Sequence, residues 1–145
     1  VDPYYLSYIS NKHNLKMEIL LAGRKVNNQM ENYVYNEIKR ELKKNNLNIK
    51  SKILIVGESY KPNVGDQRNS LAQKIIYRLL KLNNKIKVYD PIIDNKYFYK
   101  KYRINTLPSN IRFDAIIELV KHSECKKNLE RYFKKNKNTI FIKTF

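Results

Sequence analysis

A four-residue apolar run, Ile53-Leu-Ile-Val56, leads directly into a polar loop at residues 57–70, and an amphipathic segment begins near Ser70. An apolar run of this length is typical of a buried strand, and the segment after it is typical of a helix. A strand, a loop and a helix in this order place backbone N–H groups where α/β sheets hold phosphates. The loop therefore predicts an anion site, and it favours a nucleotide or a nucleotide sugar as ligand.

Strand-like runs and helical patterns alternate over the rest of the chain. The predicted strands are 53–56, 86–89, 115–120 and 139–142, and the predicted helices between them are 70–82, 95–102 and 123–133. Apolar strands that alternate with helices of this length favour right-handed crossovers between parallel strands. We therefore expect an α/β fold: a Rossmann-like, mostly parallel sheet with flanking helices.

A long helix is predicted ahead of this domain, at residues 15–44. Apolar side chains recur every four residues, at Ala22, Val26, Met30, Val34, Ile38 and Leu42. A helix of this length, roughly 44 Å, outruns a domain of this size. We expect one end to contact its own domain and the other a second subunit, as a dimerisation arm. The alternative for its first half is an ordinary core helix. The polar residues 45–48 end the helix and divide the chain into 1–48 and 49–145.

Composition limits the class of protein. The chain has 145 residues, 42% of them hydrophobic, and no run long enough to cross a bilayer. Its single cysteine, Cys125, excludes an internal disulfide and a cysteine-based metal cage, so we expect no metal and a free thiol at or near the surface. This usage favours a reducing, cytoplasmic setting. The chain opens without methionine, and we expect it to be part of something longer.

The formal net charge of +17 raises the alternative of a nucleic-acid partner. However, the lysines are spread along the whole chain, and asparagine, isoleucine and tyrosine are abundant with them. A dedicated nucleic-acid surface usually clusters its basic residues. We therefore expect a solvated basic surface and no nucleic-acid partner, with polyanion binding as the lesser alternative.

The loop at 57–70 combines several residues suited to an anion. Gly57 allows a sharp turn, Lys61 has the reach to meet a diphosphate, and Asp66 is spaced to orient Arg68 by a charge-assisted bond. Asn69 or Ser70 suits the N-cap of the next helix. The loop matches neither the Gly-x-Gly-x-x-Gly fingerprint nor a Walker loop. From its chemistry alone, an anion site and an ordinary surface turn both stay open.

Three segments in order resemble one family, the UDP-glucose/GDP-mannose dehydrogenases. Tyr60-Lys-Pro-Asn-Val-Gly-Asp-Gln-Arg-Asn-Ser70 resembles its signature loop. Val1-Asp-Pro-Tyr-Tyr-Leu6 resembles the segment just after its catalytic cysteine, and Ile19-Leu-Leu-Ala-Gly-Arg-Lys-Val-Asn27 the start of its central helix. Val88-Tyr-Asp-Pro91 and Phe113-Asp-Ala-Ile-Ile117 are similar to later strands. The resemblance covers essentially the whole chain.

The resemblance implies a function. Members oxidise a sugar C6 alcohol to a carboxylate with NAD as cofactor, and their C-terminal Rossmann-like domain binds UDP. The chain would be the central helix, which forms a homodimer, followed by that UDP-binding domain. The tyrosine pair and the Ala-Gly-Arg run resemble members that act on UDP-N-acetylhexosamines. We expect a cytoplasmic enzyme that makes UDP-uronic acids for surface polysaccharide, with no membrane partner.

Roles for individual residues follow only from this resemblance. Asp2 matches an acid that helps to activate the hydrolytic water, Tyr60 and Lys61 match substrate-binding positions near the diphosphate, and Arg68 matches a residue that reaches NAD. The family's nucleophilic cysteine, catalytic lysine and catalytic asparagine have no counterpart, and Cys125 lies in the wrong domain to replace the first. We expect this span to be inactive by itself. The alternative is a non-catalytic nucleotide-sugar-binding fragment of a split or decayed gene.

Three further residues have ordinary interpretations. Asp90 ends a strand roughly where a dinucleotide fold places a ribose-binding acid, but no glycine fingerprint precedes it, and a turn is favoured. His122 follows a strand and is expected at a sheet edge or in a loop, without a catalytic role. A solvated His13 is expected before the long helix.

Overall fold

The computed structural model describes residues 2–93, 102–107 and 110–144. Two helices come first, and four strands and two further helices follow them. In chain order the elements are α1 (Asp2–Lys12), α2 (Glu18–Lys44), β1 (Ile53–Val56), α3 (Leu71–Leu82), β2 (Lys87–Tyr89), β3 (Ala115–Glu118), α4 (Ser123–Lys135) and β4 (Ile140–Lys143). The contacts divide the chain into two compact units, Val1–Tyr33 and Val34–Phe145. The predicted division at 48/49 is a functional one and stays a prediction.

The four strands form one parallel sheet in the order β2-β1-β3-β4. This confirms the predicted Rossmann-like α/β class. Residues 53–56 of β1 are all buried, as expected of a strand with neighbours on both sides and helices over both faces. The chain runs from β1 through α3 to β2 on one side, then returns to β3 on the other side of β1. The carboxyl ends of β1 and β3 therefore flank the point at which the strand order reverses.

The core of the second unit lies on both faces of this sheet. On one face, a hydrophobic cluster is formed by side chains from the strands, from α4 and from the loop before β3. Its members are Leu54, Val56, Tyr89, Phe113, Ile116, Cys125, Leu129 and Tyr132. Because side chains alternate along a strand, Ile53 and Ile55 belong to the opposite face. The apolar stripe of α3 supplies further buried residues, Ala72, Ile75, Ile76, Leu79 and Leu80.

Helix α2 begins in the first unit and ends in the second. Its carboxyl-terminal part buries Val34, Tyr35, Ile38 and Leu42, whereas Val26, nearer the start, is 61% exposed. The helix ends at Lys44. Beyond it, Asn46 has a φ of 56°, and the N–H of Leu47 donates to Leu42 O at 2.8 Å. A bond of this span across a left-handed residue is the Schellman ending, and it confirms that residues 45–48 end the helix.

Helix α1 was not expected from any periodicity in the sequence. It ends in the same way as α2, with Asn14 at φ 57° and the N–H of Leu15 donating to Ser10 O at 3.0 Å. Within this unit, Asn28 of α2 donates a hydrogen bond to the hydroxyl of Tyr4 at 3.0 Å. None of the helices in the described ranges combines the length and the apolar character needed to cross a bilayer.

The predicted helix at 95–102 lies almost wholly outside the described residues. Residues 102–104 instead add a short bridge to the outer edge of β2, where the N–H of Val88 donates to Tyr102 O and the N–H of Ile104 to Val88 O, both at 2.9 Å.

Candidate functional site

A crevice of about 460 Å³ opens at the carboxyl ends of β1 and β3. Its walls are residues 59–62 of the loop after β1, residues 118–121 at the end of β3, and the side chains of Leu71, Ala72 and Ile75 on α3. In open α/β sheets, ligands bind outside the carboxyl ends of the strands, where the strand order reverses. The crevice lies at that point.

Gly57 allows the two walls to approach each other. Its φ is 82°, and a Cβ built on it would lie only 2.2 Å from Val120 O. Any other residue would push the loop after β1 away from the loop after β3. The sharp turn predicted at Gly57 is confirmed, and the close packing explains why glycine is needed there.

Lys61 and Tyr60 both line the crevice, as does Lys121 on the opposite wall. Both lysines are exposed, and the Tyr60 side chain is 59% exposed. No carboxylate of the described residues forms an ion pair with either ammonium group, although Glu118 also lines the crevice. Two unpaired cations against one carboxylate make the crevice suited to an anion.

The amino-terminal end of α3 forms part of the same wall. Ser70 is its N-cap: the Oγ accepts a hydrogen bond from the N–H of Gln73 at 3.3 Å and lies 2.8 Å from Glu58 O and 3.0 Å from Ser59 O, to which it can donate. This confirms one of the two predicted caps. The positive end of the helix dipole is thereby fixed beside the crevice, where it favours a negative group.

Arg68 is held by Asp66, as the spacing predicted. Its Nη2 lies 2.8 Å from Asp66 Oδ2, and its Nε lies 3.1 Å from Oδ1. The hydrogen bonds from Arg68 lower the pKa of Asp66 to about 2, and the same contact raises the pKa of Arg68. The Arg68 side chain is 88% exposed and does not line the crevice. The structure therefore separates Arg68 from Lys61 and Tyr60.

Asp2 is the first residue of α1, and its side chain lies outside the described part of the structure. Its assignment as a catalytic acid stays a prediction. The exposed position of His13 agrees with the expectation.

A buried polar cluster lies beneath the crevice loop, and no pattern in the sequence predicted it. Its four ionisable members are Glu58, Asp90, Arg103 and His122, which come from four separate segments. Asp90 makes the turn that was predicted, because its Oδ1 accepts from the N–H of Ile92 at 2.9 Å. Its Oδ2 also accepts from the N–H of Glu58 at 2.8 Å and contacts His122 Nε2 at 3.0 Å. Asp90 is therefore committed to protein contacts rather than to a ribose.

His122 lies in the loop between β3 and α4, as predicted, but its burial was not predicted. It is 1% exposed, and its Nδ1 accepts from the backbone N–H of Asn63 at 3.0 Å. Nδ1 therefore carries no proton, and the proton of the neutral ring lies on Nε2. Nε2 faces Asp90 Oδ2 and, at 3.1 Å, the Oγ of Ser59, which itself donates to the carbonyl of Lys61 at 3.0 Å.

Glu58 is 1% exposed and forms an ion pair with Arg103. Burial raises the pKa of Glu58 to about 7, and the nearby carboxylate of Asp90 acts in the same direction. Arg103 opposes the rise but does not offset it. The cluster therefore contains one carboxyl group, that of Glu58, with a pKa near neutral pH, and this group does not line the crevice.

Cys125 corrects an expectation. A surface or half-buried thiol was predicted, but Cys125 is fully buried in the core cluster, because it lies on the face of α4 that packs against the sheet. Burial raises the pKa of this thiol to about 12, so the reactive thiolate is absent at neutral pH. A protonated, buried thiol is not suited to act as a nucleophile, in agreement with the expectation for Cys125.

The parallel sheet and the crevice at its switch point define a Rossmann-like α/β domain whose crevice walls suit an anion. A sequence profile of the UDP-glucose/GDP-mannose dehydrogenase family, UDP binding domain, matches residues 54–145. The chain belongs to this family.

Full-length relatives agree with this assignment. The chain is 33% identical to UDP-N-acetyl-D-glucosamine 6-dehydrogenase of Salmonella typhi and 34% identical to UDP-N-acetyl-D-mannosamine dehydrogenase of Methanococcus vannielii. The alignments cover 97% and 99% of this chain but only 35% and 33% of the relatives. The chain therefore spans about a third of the length of these curated relatives.

Solved structures share the fold. The UDP-N-acetyl-mannosamine dehydrogenase of Staphylococcus aureus superimposes with a TM-score of 0.69 at 23% identity, over 99% of this chain and 36% of that one. A UDP-glucose dehydrogenase from Pyrobaculum islandicum gives the same TM-score at 18% identity, over 99% of this chain and 36% of that one.

Proposed function

We propose that this chain binds the UDP moiety of a nucleotide sugar in the crevice between Lys61 and Lys121. It would do so as the C-terminal part of an NAD-dependent UDP-sugar 6-dehydrogenase. The observation that supports the proposal is the crevice itself. Two lysines that form no ion pair with a carboxylate of the described residues line this crevice, and the amino-terminal end of α3 lies in its wall, at the switch point of a parallel sheet.

The walls suggest how UDP lies in the crevice. The two ammonium groups and the helix end would neutralise the diphosphate, which carries most of the ligand's charge. The exposed ring of Tyr60 and the apolar side chains of Leu119 and Val120 offer contacts for the uracil or the ribose. The Glu118 carboxylate repels phosphate but can accept hydrogen bonds from sugar hydroxyls. The diphosphate is therefore expected between the two ammonium groups and away from the Glu118 carboxylate.

The substrate is proposed to be a UDP-N-acetylhexosamine. Relatives with this specificity match nearly the whole chain, and their names include both UDP-N-acetyl-D-glucosamine and UDP-N-acetyl-D-mannosamine. Oxidation at C6 would yield the UDP-uronic acid for surface polysaccharide synthesis, in the cytoplasm.

NAD is proposed as the cofactor of the full enzyme, but the described residues do not fit an NAD site. Gly57 is packed against Val120, and Asp90 is saturated by buried contacts, so neither is available to a dinucleotide. The contribution proposed for this chain is the exposed guanidinium of Arg68, which Asp66 orients. Asp2 is proposed as the acid that assists hydrolysis in the full enzyme. The division at 48/49 and homodimerisation through residues 15–44 complete the proposal.

Calorimetric titration of the 145-residue chain with UDP, UDP-N-acetylglucosamine and UDP-glucose tests this function. Lys61→Ala should weaken UDP binding by about tenfold to a hundredfold, as expected for a lost charge-assisted bond. Lys50→Ala removes the same charge from an exposed lysine outside the crevice, and it should bind as the wild type does. Equal affinity for UDP in the Lys61→Ala variant and the wild type would contradict the proposal.

A further inference from the structure

The two loops that form walls of the crevice are joined by three hydrogen bonds just beyond the residues that line it. In one direction, the N–H of Asn63 donates to His122 Nδ1 at 3.0 Å. In the other, the N–H of Ser123 donates to Asn63 Oδ1 at 2.9 Å, and the Ser123 hydroxyl donates to the same oxygen at 2.8 Å. We call Asn63, His122 and Ser123 the latch.

The latch takes the place of an ordinary helix cap. His122 is the N-cap residue of α4, but its side chain makes no capping bond to that helix. The amide oxygen of Asn63 satisfies the N–H of Ser123 instead, from a loop 60 residues away. Asn63 can make both contacts because its φ is 60°, a left-handed conformation that asparagine tolerates.

The latch is directly continuous with the crevice walls. Asn63 is two residues from Lys61, and His122 directly follows Lys121. The other ring nitrogen of His122 faces Ser59 Oγ, whose proton goes to the carbonyl of Lys61. His122 therefore contacts the loop on both sides of Lys61. Asp90, which anchors Nε2, is itself held by the backbone of Glu58 and Ile92.

We propose that His122 is a positioning residue for nucleotide binding, which holds the Lys61 loop against the Lys121 wall through its Nδ1 contact with Asn63. The inference rests on the proposed function, because it assigns His122 a role at the same crevice. A residue that only stabilised the fold would affect stability regardless of which ring nitrogen was lost. A positioning residue should affect UDP affinity mainly through Nδ1, the atom that holds the loop.

Two substitutions separate the two ring nitrogens. The amide of asparagine places an oxygen near the position of Nδ1, so His122→Asn can still accept from Asn63 N–H but cannot reach Asp90. The longer glutamine places its amide near the position of Nε2, so His122→Gln can still donate to Asp90 but loses the contact with Asn63. Each variant keeps one contact of the ring, so their thermal stabilities should fall by similar amounts.

Calorimetric titration of the full 145-residue chain with UDP, together with thermal unfolding, provides the test. His122→Asn should bind UDP within about twofold of the wild type, whereas His122→Gln should bind about tenfold more weakly. Equal UDP affinities in the two folded variants, while Lys61→Ala still weakens binding, would overturn the role of His122 and leave the proposed function intact. An unchanged affinity in Lys61→Ala would remove the nucleotide site and this inference together.

Asn63→Gly tests the other half of the latch if a His122 variant does not fold. Glycine accepts the positive φ and keeps the N–H that His122 binds, but it lacks the oxygen that Ser123 uses. Since Asn63 is exposed and the contact with Nδ1 is kept, this variant should fold and should bind UDP within about threefold of the wild type. A loss of about tenfold or more in Asn63→Gly would contradict the proposal, because it would assign the positioning of the loop to the Asn63 side chain rather than to His122 Nδ1.

Discussion

Glu58 shows what burial does to a single carboxyl group beneath the crevice. It lies next to a second carboxylate, Asp90, and its ion pair with Arg103 does not offset the loss of water. Its pKa in the folded chain is therefore about 7, against about 4.5 for an exposed glutamate. A buried ion pair of this kind fixes geometry more than it stabilises the fold.

The raised pKa predicts how stability depends on pH. Between about pH 4.5 and 7 the folded chain holds a proton on Glu58 that the unfolded chain has lost. The contribution of Glu58 is therefore fully present below about pH 4.5 and is lost as the pH rises towards 7, by up to roughly 3 kcal/mol. Urea unfolding of the wild type and Glu58→Gln across pH 5 to 8 measures this. The two should be similar at pH 5, and the variant should be relatively more stable at pH 8.

If the free energy of unfolding changed with pH in the same way for the wild type and Glu58→Gln over that range, the assignment of the titration to Glu58 would be contradicted. Gln67→Ala is a suitable control, because Gln67 contacts the Glu58 carboxylate at 3.4 Å but carries no titrating group. It should leave the pH dependence unchanged.

At the scale of elements, the local patterns predicted most of the fold. The apolar run predicted both ends of β1 correctly. The amphipathic stripe predicted a helix at 70–82, and α3 begins one residue later, at Leu71, because Ser70 is its N-cap. Residues 58 and 90 are 32 positions apart in the sequence, and so are residues 90 and 122. No local sequence pattern indicates that the sheet topology brings these three residues together. The cluster and the latch were therefore missed, although the loop that carries Tyr60 and Lys61 was singled out by its position after β1. The substrate-binding roles of these two residues stay predictions.

The cap of α3 links this element to the crevice loop, and a substitution there should be costly. Ser70→Ala removes the cap and also the hydroxyl that reaches the carbonyls of Glu58 and Ser59. We expect a loss of about 1 to 2 kcal/mol in the free energy of unfolding by urea. Ser70→Thr keeps a hydroxyl at the same place and should retain most of the stability. Equal losses in both variants would show that the hydroxyl does not cap the helix.

At the scale of the whole molecule, the boundary between the two compact units differs from the domain boundary predicted from the sequence. The contacts place the end of the first unit at Tyr33, inside α2, whereas the sequence placed a functional boundary after residue 48. The difference lies in the carboxyl-terminal part of α2, whose Val34, Tyr35, Ile38 and Leu42 are buried. The apolar stripe runs along the whole helix, so the sequence pattern assigns all of α2 to the arm. Its carboxyl-terminal part nevertheless completes the core of the following domain.

Two truncated chains distinguish these boundaries. A chain of residues 34–145 keeps the four buried side chains and every residue of the crevice, so it should unfold cooperatively and bind UDP within about twofold of the full chain. A chain of residues 49–145 loses those four side chains, each worth about 1.5 to 3 kcal/mol when buried, and this sum approaches the whole stability of a small domain. Circular dichroism during urea unfolding and titration with UDP measure both. Equal stability of the two fragments would show that α2 contributes nothing to the core and would favour the boundary at 48/49 for folding as well as for function.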